Sequence, residues 1–317
     1  MSQAAGAPEK NFRAGFVALV GKPNTGKSTL MNAYLGQKIA IVSPLPQTTR
    51  AVIRGGLTLP DAQVIFLDTP GIHQPVHSLG EAMVEMAGRT IVDADVIVWV
   101  VDLTTPPDAA DEAVAELLRE KAAVPVLLAL NKADVVDDAQ AAGRLYTDLL
   151  HAPDGRPLYA AAITLSATAR LDRGPGAGRQ ALLEAIIRCL PESPPYYPDD
   201  FLTDQPLRAI AAELVREQVM RSTHNEIPHA VTVLVDEFKE RSAEMTYIAA
   251  TIYVEHKSQK GILLGHQGRM VKKIGRAARR EIEALVGTRV YLDLWVKVRK
   301  NWRKDPQALR WLGYRVE

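Results

Sequence analysis

The sequence has 317 residues, 47% apolar and 24% charged, with a net charge of +1 at neutral pH. That composition excludes a disordered chain, and the length suits two domains of about 100–200 residues each. A single cysteine, Cys189, excludes an intramolecular disulfide framework and a cysteine-caged zinc site; a reducing cytoplasm is the expected setting and core packing the expected role of the thiol.

Residues 1–11 are small and polar, lack the order of a secretory signal, and are expected to be a flexible N-terminus. Ala14–Val20 then reads as a strand, followed by a Gly/Pro/Asn loop and a helix over Lys27–Leu35. Val52–Leu59 and Val64–Leu67 read as two strands joined by a Pro60-Asp61 turn. Val96–Val101 and Val126–Leu130 are continuous apolar runs of the buried-strand type. The first is far short of the roughly 20 residues that span a bilayer, which leaves surface attachment open. Helices are expected over Ala110–Glu120, Gln140–Leu150 and Gln180–Leu190, with a strand over Leu158–Leu165. Strands alternating with helices predict an α/β domain over residues 12–190, a mostly parallel sheet with helices on both faces.

Pro191, Pro194, Pro195 and Pro198 then mark an extended connector over residues 191–200. Residues 201–317 follow a different, α+β order. A helix over Leu207–Thr223 precedes strands over Ala230–Glu237 and Thr246–Val254. A short helix, Lys260–Leu264, and a long one, Met270–Leu285, lead to a strand over Val290–Val298 and a final helix near Pro306–Leu312. Charge is concentrated here: Lys257–Lys304 holds 14 Lys/Arg against three acids, a balance of +11. Such a footprint points to a polyanion.

Gly21-Lys-Pro-Asn-Thr-Gly26-Lys27-Ser28 fits the P-loop pattern between a strand and a helix. Its glycines let consecutive N–H groups aim at phosphates, and the helix N-terminus adds partial positive charge. Lys27 would meet the β/γ-phosphates and Ser28 would place a hydroxyl on Mg²⁺, with Pro23, Asn24, Thr25 and Thr29 completing the nucleotide loop. Asp68-Thr-Pro-Gly71, at the end of the Val64–Leu67 strand, supplies an acid for Mg²⁺ and a glycine N–H for the γ-phosphate. Asn131-Lys-Ala-Asp134 selects guanine: the Asp134 carboxylate would accept from N1–H and the 2-amino group, and adenine would leave it unpaired. Lys132 would lay its stem along the base and Asn131 would brace the P-loop. Ser166-Ala167-Thr168 would offer the Ala167 N–H to guanine O6.

In this order the segments resemble the translation-factor-like branch of P-loop GTPases. The resemblance implies that Ser43–Arg50 is the first switch and that Thr48 or Thr49, with Thr49 favoured, ligates Mg²⁺ and senses the γ-phosphate. Ras-type switches orient the attacking water with a glutamine at the place of Ile72; an isoleucine has no polar group for that task, and slow intrinsic hydrolysis is expected. Asn24 is either a K⁺ ligand, as in related GTPases, or simply a turn-forming residue after Pro23. His73 is expected in a solvent-exposed loop, and Pro75 between His73 and His77 argues against a zinc helix.

In the C-terminal half, Gly265-His-Gln-Gly268 sits between a short and a long helix. In KH domains such a loop clamps about four nucleotides of single-stranded RNA. Gly265, His266, Gln267, Gly268, Arg269, Lys272, Lys273, Arg276 and Arg280 are the expected RNA contacts. Tyr291, Trp295 and Trp302, interleaved with cations, are either base-stacking platforms or covers for a sheet edge.

The whole chain from about Phe12 to Tyr314 resembles the Era GTPases. Three segments carry the likeness: Gln47-Thr-Thr-Arg50, Asp68-Thr-Pro-Gly-Ile-His73, and Tyr291-Leu-Asp-Leu-Trp-Val-Lys-Val-Arg-Lys-Asn-Trp302. The resemblance implies a type II KH domain after the GTPase domain, GTP/GDP and Mg²⁺ as ligands, and 16S ribosomal RNA near its 3′ end and the 30S subunit as partners. It also implies a cytoplasmic monomer, peripheral association with the inner membrane, and a link to the cell cycle. His266 stands where a lysine is common and would carry less charge. Two other readings compete: a GTP-dependent division regulator whose basic half binds anionic lipid, disfavoured by the Gly-x-x-Gly loop, and a metabolite kinase, disfavoured by Asn131–Asp134.

Overall fold

A computed structural model describes residues 12–314, apart from 44, 46–47, 74, 76–77, 153 and 169–176. The expectations for residues 1–11, Gln47 and His77 lie outside the described residues.

The first half is built on β1 (Arg13–Val20), β2 (Ile53–Leu59), β3 (Ala62–Asp68), β4 (Val96–Asp102), β5 (Val126–Asn131) and β6 (Ala161–Thr164). They form one sheet in the order β2-β3-β1-β4-β5-β6. Only β2 runs antiparallel, paired with β3 across the two-residue Pro60-Asp61 turn. Every residue of β3, β4 and β5 is buried, as the unbroken apolar runs require of strands covered on both faces. Covering them are α1 (Lys27–Leu35), α2 (Ser78–Val92), α3 (Ala109–Lys121), α4 (Ala139–Leu149) and α5 (Ala177–Cys189). Asp108 caps α3, accepting from the Ala110 and Asp111 amides, and Asp138 caps α4, accepting from Ala141.

Helix α2 has no counterpart among the expected elements. Its buried Leu79, Met83, Ala87 and Ile91 recur at helical spacing, but Gly80 and Gly88 lower its intrinsic propensity. The expected strand over Leu158–Leu165 shortens to β6, because residues 158–160 turn into the sheet from the preceding loop. Cys189 is half-buried against the core, and that burial pushes its thiol up.

The segment that begins with the prolines is tied to the first half rather than free. Gln63 Oε1 accepts from the amides of Tyr196 (2.8 Å) and Tyr197 (3.0 Å), and its Nε2 donates to the Tyr197 carbonyl. Ser193 N donates to Phe12 O and Gly56 N to Leu202 O.

The second half contains α6 (Leu207–Ser222), α7 (Ile227–Ala230), β7 (Thr232–Ser242), β8 (Met245–Val254), α8 (Lys257–Leu264), α9 (Arg269–Val286), β9 (Arg289–Val298) and α10 (Pro306–Trp311). Its sheet runs β7-β8-β9, with β8 antiparallel to β7 and parallel to β9. Helices α6 and α9 bury one face of this sheet through Val215, Val219, Ile274, Ala278 and Ile282 against Ile248, Ala250 and Ile252. The element order is that of a type II KH domain, with the single-turn α7 added. Helix α8 starts three residues earlier than expected, where Gln259 Oε1 accepts from the Glu255 and His256 amides.

The two halves share apolar contacts. Ile39 and Ile41, between α1 and β2, belong to the same core cluster as α6 and α9. Trp302, after β9, is fully buried with Leu79 and Met83 of α2 and Ala308 and Leu309 of α10, and its indole donates to Ala230 O at 2.9 Å. It is therefore a packing residue, unavailable for base stacking. Trp302→Ala is expected to cost about 3–5 kcal/mol and to accelerate hydrogen exchange in α2 as well as α10. Urea denaturation and exchange mass spectrometry would check both effects.

Candidate nucleotide and RNA sites

Strand β1 pairs with both β3 and β4, so the chain's winding reverses there. The crevice beyond the carboxyl ends of such strands is where open α/β sheets bind ligands. A cavity of about 560 Å³ opens at that place, lined from the P-loop, Thr48 and Thr49, Gly71, Asn131, Lys132, Asp134, Val135 and Ser166–Thr168. Pro23, Asn24, Gly26, Lys27, Ser28, Thr29, Lys132, Asp134 and Ala167 all face it.

Gly21 and Thr25 do not line the cavity but shape its floor. Gly21 has φ 144°, and a Cβ there would lie 2.4 Å from the Val100 carbonyl oxygen. Thr25 is buried with Oγ1 donating to Lys22 O. Gly26 has φ 102°, and a Cβ there would collide with Asn131 Nδ2 at 2.3 Å. The P-loop thus closes against β4 and β5 only with hydrogen at these positions.

Lys27 is buried, and its ammonium donates to the Gly21 and Lys22 carbonyls at 3.0 and 2.8 Å. Burial lowers its pKa to about 8, opposed by the Asp68 charge. Asp68, at the end of β3, is fully buried. Its Oδ2 accepts from Ser28 Oγ (2.6 Å) and Thr49 Oγ1 (3.2 Å), and those two hydroxyls are 2.9 Å apart. Its Oδ1 is buried with no hydrogen-bond partner among the described residues. Burial pushes this carboxyl up to about 6, despite the hydroxyls and Lys27. One orphaned carboxylate oxygen beside two hydroxyls is a set of hard oxygen donors that fits Mg²⁺. Thr49, rather than Thr48, belongs to it: Thr48 Oγ1 donates to Leu45 O.

Gly71 lies against the P-loop, where a Cβ would meet Pro23 N at 2.6 Å. Ile72 turns into the core beside Ala87 and Ile91. His73 is half-buried rather than exposed, with Nδ1 2.9 Å from Gly71 O.

Asn131 braces the site from both sides: Nδ2 donates to Thr25 O (2.7 Å) and Oδ1 accepts from Ala167 N (2.9 Å). The Ala167 N–H expected to meet guanine O6 is therefore directed to Asn131 in this structure. Lys132 has φ 66° and its ammonium contacts Asp102, at the end of β4. Asp134 is exposed at the mouth, next to Val135 at 66% exposure. Sequence reasoning missed Asp102, which orients Lys132. It also missed Lys22, whose ammonium ties the P-loop to Asp108 and Asp111 at the start of α3. Acids at strand ends and helix caps were the available signals.

In the second half, Gly265 (φ 67°) and Gly268 (φ 75°) bracket a single tight turn, with Gln267 at φ 51°. A Cβ on Gly265 would lie 2.9 Å from that of Met270. His266 and Gln267 are exposed. Helix α9 starts at Arg269, with its N-terminus at the turn. Arg269, Lys272, Lys273, Arg276 and Arg280 line a cleft of about 410 Å³ along it. None has a carboxylate within salt-bridge distance among the described residues, whereas Arg279 faces Glu283. Unneutralised cations beside a glycine turn and a helix N-terminus suit phosphates. Sequence reasoning missed Ile262 on α8, an apolar side chain at 53% exposure. Of the aromatic set, Tyr291 and Trp295 are exposed at 62% and 59%, on the face of β9 away from the helices.

Asp134 stands at the cavity mouth, where the base-selecting role expected from the sequence would need it. Asp134→Asn is expected to weaken GTP by about 2–4 kcal/mol and to favour xanthosine nucleotides. Competition binding with the two nucleotides would check the reversal.

Family models described as "50S ribosome-binding GTPase" and "KH domain" match residues 16–132 and 226–303. The chain is 43% identical over 307 residues to GTPase Era of Heliobacterium modesticaldum, covering 96% of this chain and 98% of that one. It is 45% identical over 306 residues to GTPase Era of Geobacter metallireducens, with the same coverage. Among solved structures, Era in complex with MgGDPNP and nucleotides 1506–1542 of 16S ribosomal RNA superposes with a TM-score of 0.88 at 39% identity, covering 96% of this chain and 99% of that one. A point variant of Aquifex aeolicus Era bound to GDP·AlF4⁻ gives 0.86 at 38% identity, with the same coverage. On near-complete coverage at this identity, the chain belongs to the Era family of GTPases.

Proposed function

We propose that this GTPase is a slow switch whose KH half binds single-stranded RNA near the 3′ end of 16S ribosomal RNA, and that it assists maturation of the 30S subunit as a cytoplasmic monomer. The observation that carries the reading is the unneutralised basic cleft beside the Gly265–Gly268 turn, in the same chain as a guanine-selective phosphate site. The solved Era complex with a 16S fragment supports the choice of RNA.

In this reading Lys27 meets the β/γ-phosphates, Gly71 offers its N–H to the γ-phosphate, and Ser28, Thr49 and Asp68 hold Mg²⁺. The ion neutralises charge between the phosphates. Ile72, buried in the core, puts an apolar side chain where Ras-type switches carry the water-orienting glutamine, which supports slow intrinsic turnover. Asn24 projects from the P-loop with φ 65° and is assigned as a K⁺ ligand; replacing K⁺ by Na⁺ is expected to slow single-turnover hydrolysis several-fold.

Arg269, Lys272, Lys273, Arg276 and Arg280 hold the RNA backbone, with Gly265, His266, Gln267 and Gly268 as the clamp. No helix among the described residues is long and apolar enough to cross a membrane, and any inner-membrane association would be peripheral. Replacing Gly265 and Gly268 together by Asp puts negative charge against the backbone. It is expected to weaken binding of a 16S 3′-end oligonucleotide about a hundredfold or more while GTP hydrolysis without RNA persists. Fluorescence anisotropy with the oligonucleotide, and with anionic vesicles in parallel, separates the RNA reading from the lipid one.

A further inference from the structure

The KH half reaches the nucleotide site through the segment that carries Thr49. Thr49 Oγ1 lies against Ser28 and Asp68 on the Mg²⁺ side. The next side chain, Arg50, points the other way and is 3% exposed. Its Nη1 donates to Val231 O at 2.7 Å and its Nη2 to His229 O at 3.1 Å, both carbonyls at the junction of α7 and β7. Its guanidinium lies 5.6 Å from the centre of the buried Trp302 ring, within cation–π range. On the other side of Thr49, the Thr48 carbonyl accepts from Arg216 Nη2 of α6. Arg216 is fully buried and held by Glu213 at 2.5–3.2 Å. The backbone on both sides of Thr49 is thus fastened to the C-terminal half by guanidinium–carbonyl bonds.

No carboxylate is paired with Arg50 among the described residues; two backbone carbonyls, the Tyr314 hydroxyl and an aromatic face solvate it. A buried guanidinium without its partners is costly, so Arg50 holds this position only while α7, β7 and Trp302 stay in place. Local strand pairing does not hold Thr49 there: residues 41–50 form no helix or strand among those described.

We propose that Arg50 is a positioning residue for the GTPase reaction: its docking into the KH half holds Thr49 at the Mg²⁺ site, so that the C-terminal half completes the γ-phosphate-sensing side of the nucleotide pocket. The inference rests on the reading of Thr49 as the Mg²⁺ threonine. A consequence is reciprocal linkage: anything that displaces α7 or Trp302 alters recognition of the third phosphate but not of guanine or the first two.

The test uses the full-length chain, with Mg²⁺, GDP and the non-hydrolysable analogue GDPNP as probes. Arg50→Ala is expected to weaken GDPNP about tenfold, the loss of one to two charge-assisted hydrogen bonds, to raise the Mg²⁺ concentration needed for half-maximal kcat, and to leave GDP affinity within about twofold. Arg50→Lys keeps the charge and can reach one carbonyl, so it should restore part of the GDPNP-to-GDP ratio. Arg216→Met should shift the same ratio in the same direction. Thr49→Ala separates the two readings. If it leaves the ratio unchanged, the Mg²⁺ assignment fails. If it collapses the ratio while Arg50→Ala does not, the assignment stands and the positioning role is overturned. Equal weakening of GDP and GDPNP in Arg50→Ala, or a lower melting temperature with an unchanged ratio in Arg50→Lys and Arg216→Met, would mark a purely structural contact and also overturn it.

Discussion

The nucleotide site depends on one buried carboxylate whose charge the protein alone does not satisfy. Asp68 ends an all-buried strand, so its position is set by the pairing of β3 with β1 and β2. Two hydroxyls satisfy one of its oxygens and nothing among the described residues satisfies the other. Lys27 is nearby but donates to P-loop carbonyls. Both groups are shifted toward their neutral forms by burial. A phosphate against Lys27 and a cation against Asp68 would relieve both penalties together, because each brings the missing opposite charge. The pocket's own groups are thus electrostatically incomplete in a way that a magnesium–nucleotide complex would complete.

The same strand ends explain why base selection is separable from phosphate binding. Asn131 joins the P-loop to the Ala167 turn with one side chain, and Asp102 sets Lys132. These braces come from the ends of β4 and β5, apart from the segment carrying Thr49. Asn131, Lys132 and Asp134 are thus held from the sheet, while Thr49 sits in a segment without helix or strand whose neighbours Thr48 and Arg50 are fastened to the other half of the chain. Affinity for the base and sensitivity to the γ-phosphate can then change independently, as a switch requires.

Much of this was legible in the sequence because it depends on local pattern. The P-loop, Asp68–Gly71 and Asn131–Asp134 each follow an apolar run that forms a buried strand, and strand ends place them in one crevice. The Gly265–Gly268 turn was likewise marked by its helical flanks, whereas the sequence left Thr48 and Thr49 both open and only favoured Thr49. What was not legible depends on long-range packing. Helix α2 carried a helical apolar spacing, yet two glycines obscured it; Gly88 is accommodated where α2 passes close to Lys121 of α3. Trp302 read as one of three aromatics among cations, and nothing local marks it as the fully buried one. Its partners, Leu79 and Met83, lie more than two hundred residues earlier. The commitment of the Ala167 amide to Asn131 is equally invisible without three dimensions.

Trp302 also shows why the two halves are not independent beads on a proline string. It packs against α2, which follows Asp68–Gly71, and its ring lies near Arg50, which follows Thr49. The segments that follow Thr49 and Gly71 therefore meet the C-terminal half at one indole. Ion pairs of Lys38 with Glu217 and Glu281 extend this contact toward α9. Glu281 adjoins Arg280, the last cation of the basic cleft. The two halves are thus joined by packing at Trp302 and by ion pairs at Lys38, the latter reaching the helix that carries the basic cleft. The first of these contacts is buried apolar packing and the second a partly exposed ion pair, Lys38 at 34% and Glu281 at 29% exposure. Two sites that bias the same arrangement are coupled reciprocally.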